Sequence, residues 1–386
     1  MEKKLKLRIG LLLILFPIVL SAQSFQIGHK EITLNDPSRS RDILCHFYYP
    51  STIAGNNVAV ASGQFPLIVF GHGFSMSYEA YMNFVDSLVP HGFVMCFPTT
   101  ESGLLPNHLT FGIDLQFLNN EIKSKTQENA GFFLYQKLTD RSAIMGHSMG
   151  GGAAFLAAEN NTNLTTLVTF AAAETSVSAI AAAANISVPA IVFMGENDGV
   201  APPAEHQGLM YHGLPSGCKG YIAIRGGGHC YFANDNLACT TAEFFTSPKP
   251  TISREEQHEA IFHALIPYLQ WMLNGDGLKR QVFESIILES AIYSSQFDCS
   301  EASINEFDKD YILFPNPVAE VMTVRCEDEI LGIVEVYSSA GILIFAERVN
   351  VPVKEMQFST GGFPHGFYFI KISNDKRIVI KNFIKE

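Results

Sequence analysis

The chain has 386 residues, 47% of them hydrophobic and 17% charged, with a formal net charge of -12 at pH 7. That length and apolar content allow a large buried core and point to more than one domain. The acidic balance argues against nucleic acid as a partner, since phosphate binding needs a basic face, and it disfavours a polybasic membrane contact.

Lys3, Lys4, Lys6 and Arg8 precede an apolar run from Ile9 to Leu20, closed by Ser21-Ala22. A short apolar core with basic flanks reads as a secretory signal peptide over residues 1–22. A retained membrane anchor is the rival reading, but the run is short for a span. No later stretch resembles a transmembrane helix.

Residues 23–290 alternate between short apolar runs and helical patterns. Predicted strands cover Ile43–Tyr49, Leu67–Gly71, Phe93–Phe97, Ser142–Gly146, Leu164–Phe170, Ala190–Gly195 and Tyr221–Ile224. Helical patterns lie between them at Phe111–Lys123 and Gly150–Glu159, and a last one carries Ala260, Ile261, Ala264, Leu265, Tyr268 and Met272, with Pro267 expected to kink it. Strands alternating with helices predict an α/β fold, a doubly wound and mostly parallel sheet covered on both faces.

Chemistry-bearing residues sit at the ends of these strands. After the Leu67 strand comes Gly71-His72-Gly73-Phe74, whose glycines let the backbone approach a ligand. After the Ser142 strand comes Gly146-His147-Ser148-Met149-Gly150, a G-x-S-x-G turn between strand and helix that exposes a serine hydroxyl. The Ala190 strand ends in Glu196-Asn197-Asp198-Gly199, and the Tyr221 strand in Gly226-Gly227-Gly228-His229. A serine hydroxyl is a poor nucleophile until a base lies within hydrogen-bond reach and an acid orients that base. The order Ser, Asp, His suits this fold, so Ser148, Asp198 and His229 are the candidate nucleophile, acid and base. Glu196 is the rival acid, and Asp198 could instead serve only a turn with Gly199. The candidate oxyanion donors are the backbone N–H groups of Met149 and Phe74. His72 is expected to brace its loop. Gly73, His147 and Phe232 are the candidate substrate-binding residues, and Phe74, Phe232 or Tyr231 would supply aromatic area.

Export permits disulfides, and there are seven cysteines. Cys45 and Cys96 lie in apolar strands and read as buried thiols. Cys230 and Cys239 bracket one loop and are the preferred pair, with Cys218 as competitor. No C-x-x-C pair occurs, so zinc is a poor reading, and neither metal nor cofactor is expected.

Ser, Glu and Asp dominate residues 291–310, which read as a linker. Residues 311–386 read as a small all-β module, with short runs at Val321–Arg325, Val334–Tyr337, Ile342–Ala346, Phe367–Ile372 and Arg377–Ile380.

The tail resembles the C-terminal sorting domain of type IX secretion substrates. The likeness rests on Pro315-Asn316-Pro317, on Val334-Glu335-Val336-Tyr337 with Ala340-Gly341, on Gly366-Phe367-Tyr368 and on the basic end Lys381 to Lys385. It implies the type IX machinery as partner and a secreted or cell-surface destination beyond both membranes. A carbohydrate-binding or adhesive β-sandwich is the alternative for this module.

The larger part resembles α/β-hydrolases of the dienelactone-hydrolase and cutinase-like polyester-hydrolase group. The likeness rests on Gly146-His147-Ser148-Met149-Gly150-Gly151-Gly152, on Glu196-Asn197-Asp198-Gly199-Val200-Ala201-Pro202 and on Gly228-His229. It implies hydrolysis of carboxylic esters, small or polymeric, by Ser148, Asp198 and His229 with Phe74 and Met149 as the oxyanion pair, without cofactor. Poly(ethylene terephthalate) is among the polymers it suggests. One departure is visible: such polyester hydrolases carry a Trp in the loop that here reads Phe170-Ala171-Ala172-Ala173-Glu174. The sole tryptophan, Trp271, falls on the last helix and reads as core. Other acyl hydrolases (phospholipid-type, chlorophyllase-like or peptidase) and a non-catalytic secreted binding protein are the alternatives.

Overall fold

A computed structural model describes residues 24–215, 217–299, 311–326, 332–338, 343–349, 353–373 and 378–386. The expected signal peptide, residues 1–22, lies outside the described residues.

In chain order the larger part begins with β1 (Gln26–Asp36), β2 (Arg41–Ser51), the two-residue β3 (Gly55–Asn56) and β4 (Phe65–Gly71). A 3-10 turn at Tyr78–Tyr81 leads into α1 (Met82–Leu88), then β5 (Val94–Pro98), α2 (His108–Glu128), β6 (Leu138–His147) and α3 (Met149–Ala158). Next come β7 (Thr166–Phe170), α4 (Ala179–Ala183), β8 (Ala190–Gly195), α5 (Gln207–Gly213) and β9 (Cys218–Ile224). The short α6 (Leu237–Phe244), the long α7 (Arg254–Asn274), α8 (Gly277–Glu289) and β10 (Tyr293–Cys299) complete it. The helix α7 continues through Pro267.

The ten strands form one sheet in the order β10-β9-β8-β7-β6-β4-β5-β2-β1-β3. From β5 across to β9 all neighbours are parallel, and antiparallel strands flank them on both sides. This is the α/β sheet that the alternating pattern predicts. The central strands are buried on both faces, which is why β4 (Phe-Pro-Leu-Ile-Val-Phe-Gly) and β8 (Ala-Ile-Val-Phe-Met-Gly) read as unbroken apolar runs. Their period of two appears only in the packing. Ile68, Phe70, Ile191 and Phe193 join the core shared with α1, α7 and α8, while Leu67, Val69, Val192 and Met194 join the core shared with α2 and α3.

One boundary differs from expectation. The stretch read as linker from residue 291 starts with β10, which pairs with β9 from Tyr293↔Ile224 to Cys299↔Cys218. As an edge strand it buries only Tyr293 and Cys299 and turns Ser, Gln and Asp outward, so its composition imitates a linker. Residues 300–310 lie outside the described residues. The tail holds two small antiparallel sheets. One is formed by β11 (Tyr311–Phe314), β12 (Val321–Cys326) and β15 (Glu355–Ser359). The other is formed by β13 (Ile333–Ser338), β14 (Leu343–Arg348), β16 (Gly366–Ser373) and β17 (Ile378–Lys385). The Pro-Asn-Pro signature is an anchoring turn: the Ile384 N–H donates to Asn316 Oδ1 at 2.9 Å.

Candidate active site

The strand β6 runs into α3 with one residue between them. Space for the crossing exists only because glycines meet there: a Cβ on Gly146 would lie 2.2 Å from the Gly150 carbonyl oxygen, and one on Gly150 would lie 2.2 Å from that of Gly71. Ser148, the residue between, has φ 55° and ψ −121°, a left-handed strained conformation for a residue with a Cβ. Backbone bonds hold it there. Its N–H donates to Phe170 O at 3.0 Å, and its carbonyl accepts from Gly152 N at 3.1 Å and Ala173 N at 2.9 Å.

The loop after β9 brings His229 to this turn. The His229 Nε2 lies 2.9 Å from Ser148 Oγ, and its Nδ1 lies 2.7 Å from Asp198 Oδ2. An ionised carboxylate only accepts, so Nδ1 carries the proton facing Asp198 and Nε2 accepts the Ser148 hydroxyl. Asp198 is 1% exposed. Its other oxygen, Oδ1, accepts from Val200 N at 2.9 Å and Ala201 N at 2.7 Å, which satisfies the buried charge. The turn role and the hydrogen bond to His229 therefore coexist in one side chain. Glu196, the rival acid, instead accepts from Gly226 N at 3.1 Å.

The His229 loop is clamped by residues that the sequence did not single out. Gln257 on α7, fully buried, donates to Gly228 O at 3.0 Å and accepts from Gly228 N at 2.8 Å. Glu243 on α6 accepts from Cys230 N at 3.1 Å, and the Cys230–Cys239 disulfide ties the same turn to α6. That disulfide is the expected pair. The competitor Cys218 is bonded elsewhere, to Cys299 at the end of β10, which the linker reading concealed. Cys45 and Cys96 are buried free thiols.

The loop after β4 lies against the first turn of α3, as the Gly71–Gly150 approach requires. His72 braces it, with Nε2 2.8 Å from Thr100 O and Nδ1 2.9 Å from Gly73 O. Burial pulls its pKa below the ordinary histidine value, partly offset by those two carbonyls. The Phe74 side chain is 48% exposed on the rim. Among the described residues, neither the Phe74 N–H nor the Met149 N–H has a protein acceptor.

The substrate-binding expectation needs correction. His147 and Phe232 are fully buried, and their rings pack on each other and on core aromatics, with Phe232 5.7 Å from Phe170. Neither offers surface to a ligand, because both are packed beneath the ends of the central strands. Gly73 spends its N–H on Tyr81 Oη at 2.7 Å. The Tyr231 ring is covered by the Arg254 guanidinium, 4.6 Å from its centroid. Trp271 packs in the core, as its place on the last helix implies.

A family model described as PET hydrolase-like matches residues 45–248, more than half of the chain. The chain belongs to that family. A second model, a secretion system C-terminal sorting domain, matches residues 312–386. This PET hydrolase-like protein is therefore a hydrolase with a type IX export tail, destined for secretion or the cell surface. No helix among the described residues is long and apolar enough to cross a membrane. Gln257, α8 and the Cys299 end of the sheet lie beyond the matched segment, so the clamp on the His229 loop joins Glu243 and Cys239 from inside the family match to Gln257 from outside it.

Proposed function

We propose that the protein is an exported serine esterase. Ser148 Oγ attacks the ester carbonyl while His229 Nε2 takes its proton, and Asp198 stabilises the imidazolium that forms. The carbonyl oxygen becomes an oxyanion facing the Met149 and Phe74 N–H groups. Collapse of the tetrahedral intermediate expels the alcohol, which leaves with the proton from His229. Water, activated by the same ring, then releases the carboxylic acid and restores the serine. The observation that carries this reading is the continuous hydrogen-bonded relay from Ser148 Oγ through His229 to Asp198 at a strained strand-to-helix turn.

Short-acyl and aliphatic esters are the preferred substrates, because no tryptophan stands in the 170–174 loop to stack on an aromatic acid. A groove of about 690 Å³ begins at Ser75 beside Phe74 and continues along Leu237 and Thr241 of α6. In this reading the catalytic unit runs from residue 24 to Cys299, and the linker is confined to residues 300–310.

Ser148→Ala should abolish turnover of p-nitrophenyl butyrate, with a loss of about 10⁶-fold, while leaving the melting temperature close to the parent value. A fluorophosphonate should label Ser148 stoichiometrically in the parent protein. Retention of most activity by the alanine variant would refute Ser148 as the nucleophile, whereas a parent protein that neither turns over the ester nor labels at Ser148 would favour a binding protein on a hydrolase fold.

A further inference from the structure

The buried histidine of the G-x-S-x-G turn has no part in the mechanism above, yet both of its ring nitrogens are bonded. We propose that His147 is a positioning residue that couples the oxyanion loop to the backbone of the base, through Tyr81. The inference rests on the esterase reading and adds a second set of residues to it.

The bond directions follow from the partners. His147 Nε2 lies 3.0 Å from the His229 carbonyl oxygen, which only accepts, so Nε2 carries the hydrogen. Burial drives the His147 pKa well below the ordinary value, with the neighbouring His229 adding to the effect, so the ring stays neutral and Nδ1 keeps its lone pair. Tyr81 Oη, 3.0 Å away, donates to that nitrogen and in turn accepts from Gly73 N–H at 2.7 Å. Met76 Sδ, 3.3 Å from Tyr81 Oη, is the weaker acceptor. The chain therefore runs from Gly73 N–H to Tyr81 to His147 to His229 O. Its first member precedes Phe74, the proposed oxyanion donor, and its last is the peptide carbonyl of the base.

Gly73 supports the same reading from another direction. A Cβ there would lie 2.6 Å from Met76 Sδ, 3.0 Å from Tyr81 Oη and 3.3 Å from His147 Nδ1. The missing side chain is what lets the loop close on the relay. Tyr81 and His147 are both fully buried, so water cannot replace a lost partner without rearrangement. Asp198 fixes the His229 ring through Nδ1; this second chain fixes the peptide that carries the ring, together with the loop opposite. Donors and base must be set together within a fraction of an ångström for the acyl carbon to meet both.

The test uses the full chain and counts active sites by fluorophosphonate labelling of Ser148. Tyr81→Phe removes one oxygen and frees both ends of the relay. His147→Gln keeps a donor toward the His229 carbonyl and offers Tyr81 only an amide oxygen in place of the ring nitrogen Nδ1. Tyr81→Phe should lower kcat per titrated site by about 10²-fold, with KM within about twofold of the parent. His147→Gln should lose less. The double variant should match Tyr81→Phe within about twofold, because both changes cut the same chain. Unchanged kcat per titrated site, with loss only of melting temperature, would reduce the cluster to core packing and overturn the proposal. Multiplying effects in the double variant would overturn it as well. If the parent itself is not labelled at Ser148, the esterase reading fails, and that outcome is separate from these. Should Tyr81→Phe not fold, His147→Gln alone carries the kcat comparison.

Discussion

The two disulfides sit at opposite ends of β9 and should fail in different ways. Cys218–Cys299 closes a loop with a sequence separation of 81, whereas Cys230–Cys239 closes one of 9. Chain entropy makes the longer crosslink worth about 4.5 kcal/mol and the shorter about 2.6 kcal/mol, a difference of about 2 kcal/mol. Against a usual net stability of about 5–15 kcal/mol, the first is a large share of the whole. Function should rank them the other way. Cys218–Cys299 fastens the edge strand β10 to the start of β9, at the opposite end of the strand from the His229 loop. Cys230–Cys239 begins one residue after His229 and holds its turn to α6. Urea unfolding of Cys218→Ala/Cys299→Ala should therefore show the larger loss of stability with kcat per folded molecule near the parent value. Cys230→Ala/Cys239→Ala should be the milder loss, with kcat reduced at least about tenfold through a looser base. Equal stability losses, or a collapse of kcat confined to the Cys218/Cys299 variant, would refute the separation of roles.

Three further outcomes follow from the same geometry. A chain ended at residue 290 should be less stable than one ended at 300, since it loses β10 and the longer crosslink; equal urea midpoints would place the catalytic unit's end at 290 after all. Gln257→Leu leaves a buried N–H and C=O of Gly228 without partners and should cost about 2–4 kcal/mol, read by thermal unfolding, with kcat falling as the His229 loop shifts. His72 and His147 are both held below the ordinary histidine pKa by burial. Below about pH 6.5 the unfolded chain gains protons that the folded one refuses, so stability should fall with acidification by up to about 1.4 kcal/mol per pH unit for each. Urea midpoints between pH 7 and pH 5 should decline, and His147→Gln should flatten the slope; an unchanged slope would contradict a neutral buried ring.

Much of the architecture is legible in one dimension because its signals are local. Apolar runs such as Leu67–Gly71 and Ala190–Gly195, too short for helices and bounded by turn residues, read as central strands, and each ends in a short polar or glycine-rich tag. Parallel strands place all those tags on one rim, so Ser148, Asp198 and His229 were readable as a set from chain order and strand ends alone. β10 was not readable in the same way. A polar edge strand owes its conformation to the partner strand it bonds, and composition carries no trace of that partner.

Residue types and their order along the chain determined the sheet, the exported β-rich tail and the three candidate catalytic side chains. Tertiary structure alone decided what surrounds them: that Cys218 bonds Cys299, that Gln257 holds the base's loop, and that His147 faces inward to Tyr81 rather than outward to a ligand. The physical reason is distance in sequence. A strand or a tight turn is set by neighbours within a few residues, whereas burial and hydrogen-bond partners are set by segments that meet only after the sheet has formed.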